Sequence, residues 1–298
     1  MNLETEPVRP PIVAPSAITE VADRVWVIPD SDYIRMVPNI GIVVGSRRTL
    51  VIDTGFGPAN ARTVLDVARR LSGGRPLFLT STHFHPEHAF GAYVFADEAT
   101  IVTSEAQWTE LQEKGEPYLR MFREGLPTLG PMLDGVKFVA PHVRYTGSLS
   151  LDLGGGQIAE LRDVGGGHSR GDQAVLVRGP APVLFTGDMV EERYFPLFPD
   201  NDSHVIPWIT RLQELEQLNP AIVVPGHGHL GGRELIVNVR EYLEYARGRV
   251  MALRGAGELA ESEIVDRVSS ELLDLHPDWA NRETISMTAA DLSWPARG

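Results

Sequence analysis

Apolar residues fall along this chain in two alternating patterns, short Val/Ile-rich runs and longer stretches spaced three to four apart. "RVWVIP" (Arg24 to Pro29), "NIGIVVG" (Asn39 to Gly45) and "TLVIDTG" (Thr49 to Gly55) are rich in β-branched residues and predict strands. In "NARTVLDVARRL" the residues Val64, Leu65, Ala68 and Leu71 share a helical face, and Gly73 and Gly74 close the helix. "PLFLTST" predicts a buried strand that ends at His83. From Glu105 to about Arg123, Trp108, Leu111, Leu119 and Phe122 predict helix, interrupted near Gly115 and Pro117. This insertion is either a lid or a plain packing helix.

The second half repeats the alternation with more strand: "GSLSLDL" (Gly147 to Leu153), "QIAELRDV" (Gln157 to Val164), "QAVLVR" (Gln173 to Arg178) and "PVLFTGD" (Pro182 to Asp188). A helix from about Ile206 to Leu218, the strand "AIVVPG" (Ala221 to Gly226) and a helix from about Arg233 to Arg247 follow, with an amphipathic helix from Glu261 to Leu275. Sheets in each half with helices outside imply an α/β chain folded as a four-layer αββα sandwich.

Composition narrows the chemistry. The 298 residues are 43% hydrophobic, enough for a full core. A net charge of −13, from 40 acidic against 27 basic residues, disfavours nucleic acid or an anionic membrane as partner and is otherwise uninformative. With no cysteine, any metal must be held by His, Asp and Glu. The N-terminus carries early acids and Pro7, Pro10, Pro11 and Pro15 but no signal-like apolar run. No run of about eighteen apolar residues occurs either, so a cytoplasmic location is expected.

The polar residues that end the apolar runs carry the candidate chemistry. "STHFHPEHAFGA" places His83, His85, Glu87 and His88 within six positions. In an extended loop His83, His85 and Glu87 would project to one side, with His88 at the turn into a helix. Neither HExxH nor HxxEH fits, since Phe84 stands where the latter needs histidine. "DVGGGHSRGD" offers His168, "LFTGDMV" offers Asp188 and "VVPGHGH" offers His227, each after a strand. A lone strand-end histidine is more often a hydrogen-bonded structural residue. Here five of the nine histidines occupy such places in order, which coincidence does not explain. Asp53 in "DTG" has no second such motif to form an aspartic-protease dyad, and the "GGG" runs lack a nucleotide-binding frame. His229 reads as a solvated loop residue, and "RYFPLFPD" (Arg193 to Asp200) as either a substrate wall or packing.

The ordered set resembles the metallo-β-lactamase superfamily, in its glyoxalase II-like small-molecule branch. That family's pattern is a strand ending in Asp, then HxHxDH, His, Asp and His on loops along one edge of the sandwich. Asp53, then His83, His85, Glu87 and His88, then His168, Asp188 and His227 take those positions here, with HxHxEH replacing HxHxDH. The resemblance covers roughly residues 24–250, leaving a proline-rich leader (1–23) and a helical extension (251–298) packed on the same domain.

The resemblance implies two metal ions per chain, zinc first, with iron or manganese as alternatives. His83, His85 and His168 would hold one, Glu87, His88 and His227 the other; Asp188 would bridge them, and Asp53 would fix ligands by hydrogen bonding. It also implies hydrolysis of a small-molecule substrate, an ester, thioester, lactone or amide, β-lactams included, by a metal-bound hydroxide that Glu87 helps to orient. The glutamate keeps the charge but adds one methylene, about 1.5 Å of reach. Two other readings stand beside this one: a mononuclear non-haem iron dioxygenase of a persulfide-type substrate using His83, His168 and Asp188, and a metal-binding protein without catalysis.

Overall fold

Residues that alternate along each strand point to two different cores, so the strands assemble into two sheets packed face to face. The structure is a computed structural model and describes residues 9–30, 32–199 and 201–293. The first eight residues of the leader, with Pro7, and Asp200 of the aromatic segment lie outside the described residues.

The first sheet has seven strands in chain order: β1 (Thr19–Ala22), β2 (Val25–Ile28), β3 (Ile40–Val44), β4 (Thr49–Ile52), β5 (Leu77–Thr80), β6 (Ala99–Ser104) and β7 (Val143–Tyr145). Pairing is antiparallel from β1 to β4 and parallel from β4 to β7. The second sheet has five, β8 (Ser148–Gly154), β9 (Gln157–Asp163), β10 (Gln173–Arg178), β11 (Val183–Gly187) and β12 (Ile222–Pro225), with only β11 and β12 parallel. Helices α1 (Gly57–Ser72), α2 (Pro86–Ala89) and α3 (Glu105–Gly125) belong to the first half. The second half contributes α4 (Val205–Gln217), α5 (Glu234–Ala256), α6 (Glu261–Leu275) and α7 (Ile285–Ser293).

Between the sheets, Val25, Val27, Val43, Leu50 and Ile52 meet Ala159, Leu161, Val175, Val177, Val183, Phe185 and Val224. The alternate residues Ile40, Ile42, Val44 and Val51 face α1, while Ala174, Leu176, Leu184 and Val223 face α4 to α7. Burying one such side chain stabilises by roughly 1.5–3 kcal/mol. A one-residue slip of any strand would exchange its two faces, so packing fixes the register more firmly than strand propensity does. The result is the expected αββα sandwich.

Five elements depart from the sequence reading. Helix α3 runs unbroken through Gly115 and Pro117. Its aromatic face explains this: Tyr118, Leu119 and Phe122 pack into a cluster with Phe56, Phe90, Leu126 and Leu133, which offsets the backbone hydrogen bond that Pro117 cannot make. Strand β1 lies within the stretch read as leader, paired with β2. Strands β6 and β7 were not anticipated; β6 mixes Thr and Ser among its apolar residues, and β7 is three residues long with two exposed. Helix α5 continues through residue 250 and ends at Gly257, whose φ of 69° suits the left-handed cap.

Candidate metal centre

Every strand that ends at the site hands over a polar residue where its apolar run stops. After β5 come His83 and His85; His85 is the N-cap of α2, and Pro86 starts that helix with its preset φ. Glu87 therefore sits on a helical turn, not on the extended loop expected from the alternation, and His88 lies in the same turn. His168 lies between β9 and β10, Asp188 follows β11, and His227 follows β12. All seven candidate ligands are buried and come together in one place.

They form two clusters that share Asp188. In the first, His85 Nδ1 is 2.9 Å from His83 Nε2 and 3.1 Å from His168 Nε2. Both of those Nε2 atoms are 3.7 Å from Asp188 Oδ2. In the second, Asp188 Oδ1 is 3.3 Å from His88 Nε2 and 3.6 Å from His227 Nε2, and His227 Nε2 is 3.9 Å from Glu87 Oε1. Ligands held tetrahedrally at 2.0–2.1 Å from a zinc ion are about 3.3 Å apart. The observed separations bracket that value, so the extra methylene of Glu87 has not taken its carboxylate out of reach.

The chemistry of the unsatisfied atoms points the same way. Glu87 Oε2, His88 Nε2 and Asp188 Oδ1 are buried with no hydrogen-bond partner among the described residues. Such atoms are costly to bury unless a cation meets them. The opposite nitrogens of His88, His168 and His227 are spoken for, whereas His85, which faces the cluster with Nδ1, has its Nε2 buried with no partner among the described residues. His88 Nδ1 meets Asp53 Oδ2 at 2.9 Å, His168 Nδ1 meets the Leu197 carbonyl at 3.1 Å, and His227 Nδ1 meets the Val37 carbonyl at 2.9 Å. A carbonyl or carboxylate only accepts, so each of these Nδ1 atoms carries a proton and each Nε2 faces the cluster.

Asp53 is the hub of this support. It adopts φ 70°, a left-handed conformation that Asp tolerates, and accepts from Thr82 N at 2.7 Å and Thr82 Oγ1 at 3.0 Å. Thr82 Oγ1 in turn lies 3.2 Å from His83 Nδ1. One carboxylate thus bears on both clusters, directly on His88 of the second and through Thr82 on His83 of the first. Gly187 (φ 53°) and Gly226 hold Asp188 from behind: a Cβ on Gly226 would stand 1.9 Å from Asp188 Oδ1.

Helix α3 clamps the other side. Glu110, fully buried, accepts from Gly171 N at 2.8 Å, Arg170 N at 3.3 Å and Lys114 Nζ at 2.8 Å, and Gln107 Nε2 donates to the Ser81 carbonyl at 3.0 Å. The helix is therefore tied to the loops that carry His168 and His83.

Among the protein groups themselves, burial holds the imidazoles of His83 and His85 well below the ordinary histidine range, so both are neutral donors at neutral pH. Burial also works against charge on His88, but the carboxylates of Asp188 and Asp53 outweigh it and hold His88 well above that range. Asp188 is the converse: His88, His227 and His83 overcome its burial and keep it well below the usual carboxylate range. Burial pushes Glu87 up, with His88 and His227 opposing.

A cavity of about 240 Å³ opens on the cluster. His85, Glu87, Asp188 and His227 form its polar end; Tyr118, Met121, Phe122, Leu126, Leu197 and Met287 supply apolar walls, and Arg35 lines it near Glu283. Tyr194, Leu197 and Pro199 of the aromatic segment line this cavity, whereas Phe195 packs against Tyr242 and Trp279, so that segment serves both purposes. His229 is exposed, beside Tyr33. Glu191 also lines the cavity, 8% exposed, with burial and the nearby Asp188 holding its carboxyl well above the usual range. Sequence reasoning missed it; the only signal was its position three residues beyond Asp188. Among the described residues no helix is long and apolar enough to cross a membrane.

Comparison with known proteins speaks to the family and the fold. The sequence profile described as the Metallo-beta-lactamase superfamily matches residues 34–227. The chain is 30% identical over 211 residues to acyl-coenzyme A thioesterase MBLAC2 of Gallus gallus, spanning 66% of this chain and 74% of that protein. A metallo-beta-lactamase from Pontibacter korlensis superposes with a TM-score of 0.59 at 21% identity, covering 75% of this chain and 96% of its own. The sec-alkylsulfatase Pisa1 from Pseudomonas sp. gives a TM-score of 0.72 at 18% identity, over 94% of this chain and 50% of the sulfatase. At these identities the two structures speak for the fold, and the sulfatase covers the larger share of this chain.

Proposed function

The chain belongs to the metallo-β-lactamase superfamily and is a metal-dependent hydrolase, and we propose that it cleaves an ester or thioester of an apolar acyl group with two divalent ions. Lactones and amides, β-lactams included, are carbonyl substrates open to the same chemistry. The observation that carries this reading is the cavity, whose polar end is the ligand cluster and whose walls are apolar. Such a pocket favours a substrate with a hydrocarbon portion beside the scissile bond.

His83, His85, His168 and Asp188 Oδ2 would hold the first ion, and Glu87, His88, His227 and Asp188 Oδ1 the second. When bound, such ions lower the pKa of a water and polarise the oxygen of the scissile group. The protein supplies the rest. Glu87 Oε2, buried without a protein partner among the described residues, accepts a hydrogen bond from the attacking water and fixes its direction. Asp53 keeps His88 in the tautomer whose Nε2 is a ligand. Tyr118 stacks on His85 with ring centroids 5.4 Å apart, and with Phe122 it keeps bulk water from the reacting carbon.

The test is turnover of acyl esters and acyl thioesters of increasing chain length by metal-loaded protein, with alkyl sulfates and β-lactams as comparators. The reading expects kcat/KM to rise with acyl length until the cavity is filled, and His83→Ala and Asp188→Ala to abolish the reaction. Turnover of alkyl sulfates alone would move the scissile bond from carbon to sulfur. One iron per chain with oxygen uptake on persulfides would instead assign the dioxygenase chemistry.

A further inference from the structure

The two clusters differ in donor chemistry once Glu191 is counted. Asp188, Glu191 and His227 each bring one ligand atom within 4.8 Å of the others. The Glu191 side chain is buried, lines the cavity, and has no hydrogen bond or ion pair among the described residues. With no protein partner among the described residues, its carboxylate opens on the cavity, where it can meet a cation. The backbone holds it where it is. Val190 N bonds to the Gly187 carbonyl at 3.2 Å, Gly226 N bonds to the Val190 carbonyl at 3.0 Å, and Glu192 N bonds to the His227 carbonyl at 3.0 Å. Trp208 Nε1 donates to the Met189 carbonyl at 2.9 Å from the other side. The turn from 187 to 192 is thus pinned on both flanks of Glu191, beside His227, and the residue did not arrive there by side-chain freedom alone.

We propose that Glu191 is an additional ligand of the second ion and that it biases this position toward a harder cation than the first. The inference rests on the two-ion reading above. The first position offers three imidazole nitrogens and one carboxylate. The second then offers His88 and His227 with three carboxylates, Glu87, Asp188 and Glu191. Oxygen-rich sets suit manganese or ferrous iron better than a set dominated by imidazole does. The long Glu87 and the neighbouring Glu191 belong together on this view: two flexible glutamates can close around an ion that takes more ligands than tetrahedral zinc.

The experiment is metal binding by the full chain, read independently of turnover. Metal-free wild type, Glu191→Gln and Glu191→Asp are titrated with Zn²⁺ and with Mn²⁺, bound ions being counted by elemental analysis after dialysis and Mn²⁺ followed by electron paramagnetic resonance. Wild type is expected to bind two ions. Glu191→Gln should keep the first at wild-type affinity and bind the second at least about tenfold more weakly, with a greater loss for Mn²⁺ than for Zn²⁺. Glu191→Asp should recover part of that loss. Unchanged affinity for both ions in Glu191→Gln overturns the proposal, as does equal weakening of both, which would make Glu191 a structural residue. A single ion in wild type overturns it too. Failure of the hydrolase reading would show separately, as wild type that binds two ions but cleaves no acyl substrate.

Discussion

Asp53→Asn is a small change with a calculable effect. Asparagine tolerates the φ of 70° at this position, so the backbone has no reason to move. The amide has one oxygen where the carboxylate had two. If that oxygen stays on Thr82 N, 2.7 Å away, the NH₂ group faces Thr82 Oγ1 and His88 Nδ1. His88 Nδ1 must then accept, and its proton moves to Nε2, the atom that faces Asp188 Oδ1 at 3.3 Å. A protonated Nε2 is no ligand. If the amide flips, Thr82 N is buried against a second donor, at a cost of about 1–3 kcal/mol. The first arrangement avoids that cost and is the favoured one, and in it the second ion loses a preoriented imidazole. Groups that orient ligands are worth roughly 10–100-fold in metal affinity, or about 1.4–2.8 kcal/mol. The assay is competition with a chromophoric chelator on purified wild type and Asp53→Asn. The expected result is a second dissociation constant raised by that factor, with the first changed much less. Two ions held within about threefold of wild-type affinity would refute the tautomer argument.

Other consequences can be checked with similar economy. Gly226→Ala places a methyl 1.9 Å from Asp188 Oδ1 and under 3 Å from the backbone at Gly187 and Asp188, so the turn that carries Asp188 must shift; loss of both ions by elemental analysis is expected, with a circular dichroism spectrum to show that the fold persists. Glu110→Ala removes the acceptor of Gly171 N and Arg170 N, and should lower stability in urea by roughly 3 kcal/mol; a loss below about 1 would show that the clamp on the His168 loop is not needed. His276, packed on Trp279 with ring centroids 4.0 Å apart, has its pKa lowered by burial, with Asp278 opposing. The unfolded chain therefore takes up this proton first, and the stability present above about pH 6.5 is lost as pH falls toward the folded value. Denaturation from pH 7.5 to 4 should show His276→Phe losing less stability than wild type, and an NMR titration of His276 at or above 6.5 would contradict it.

The candidate site was legible in the sequence because its residues end apolar strands: Asp53, His83, Asp188 and His227 are each among the first polar residues after a Val/Ile/Leu run. The rest of the histidines followed from order. The sandwich was legible for a related reason, since strands with two buried faces need cover on both. What the sequence hid has physical causes. Glu191 sits in a polar turn next to Glu192, and nothing in spacing separates the glutamate that faces the cavity from the one that bonds His229 N near the surface. Pro117 argued for a break in α3, and only the packing of Tyr118, Leu119 and Phe122 against residues from other elements overrules it. Strand β7 owes its place to pairing with β6, a contact no local pattern announces.

The candidate ligands arrive from both sheets: His83, His85, Glu87 and His88 follow β5 of the first, while His168, Asp188 and His227 hang from strands of the second. An ion held between them acts as a rivet through one edge of the sandwich, in a chain that has no disulfide to do so. Folding and metal supply are then one equilibrium. Free ion at a hundred times its dissociation constant adds about 2.7 kcal/mol to the folded state, a large share of what holds a typical domain together. A chelator should therefore act on this protein as a mild denaturant as well as an inhibitor.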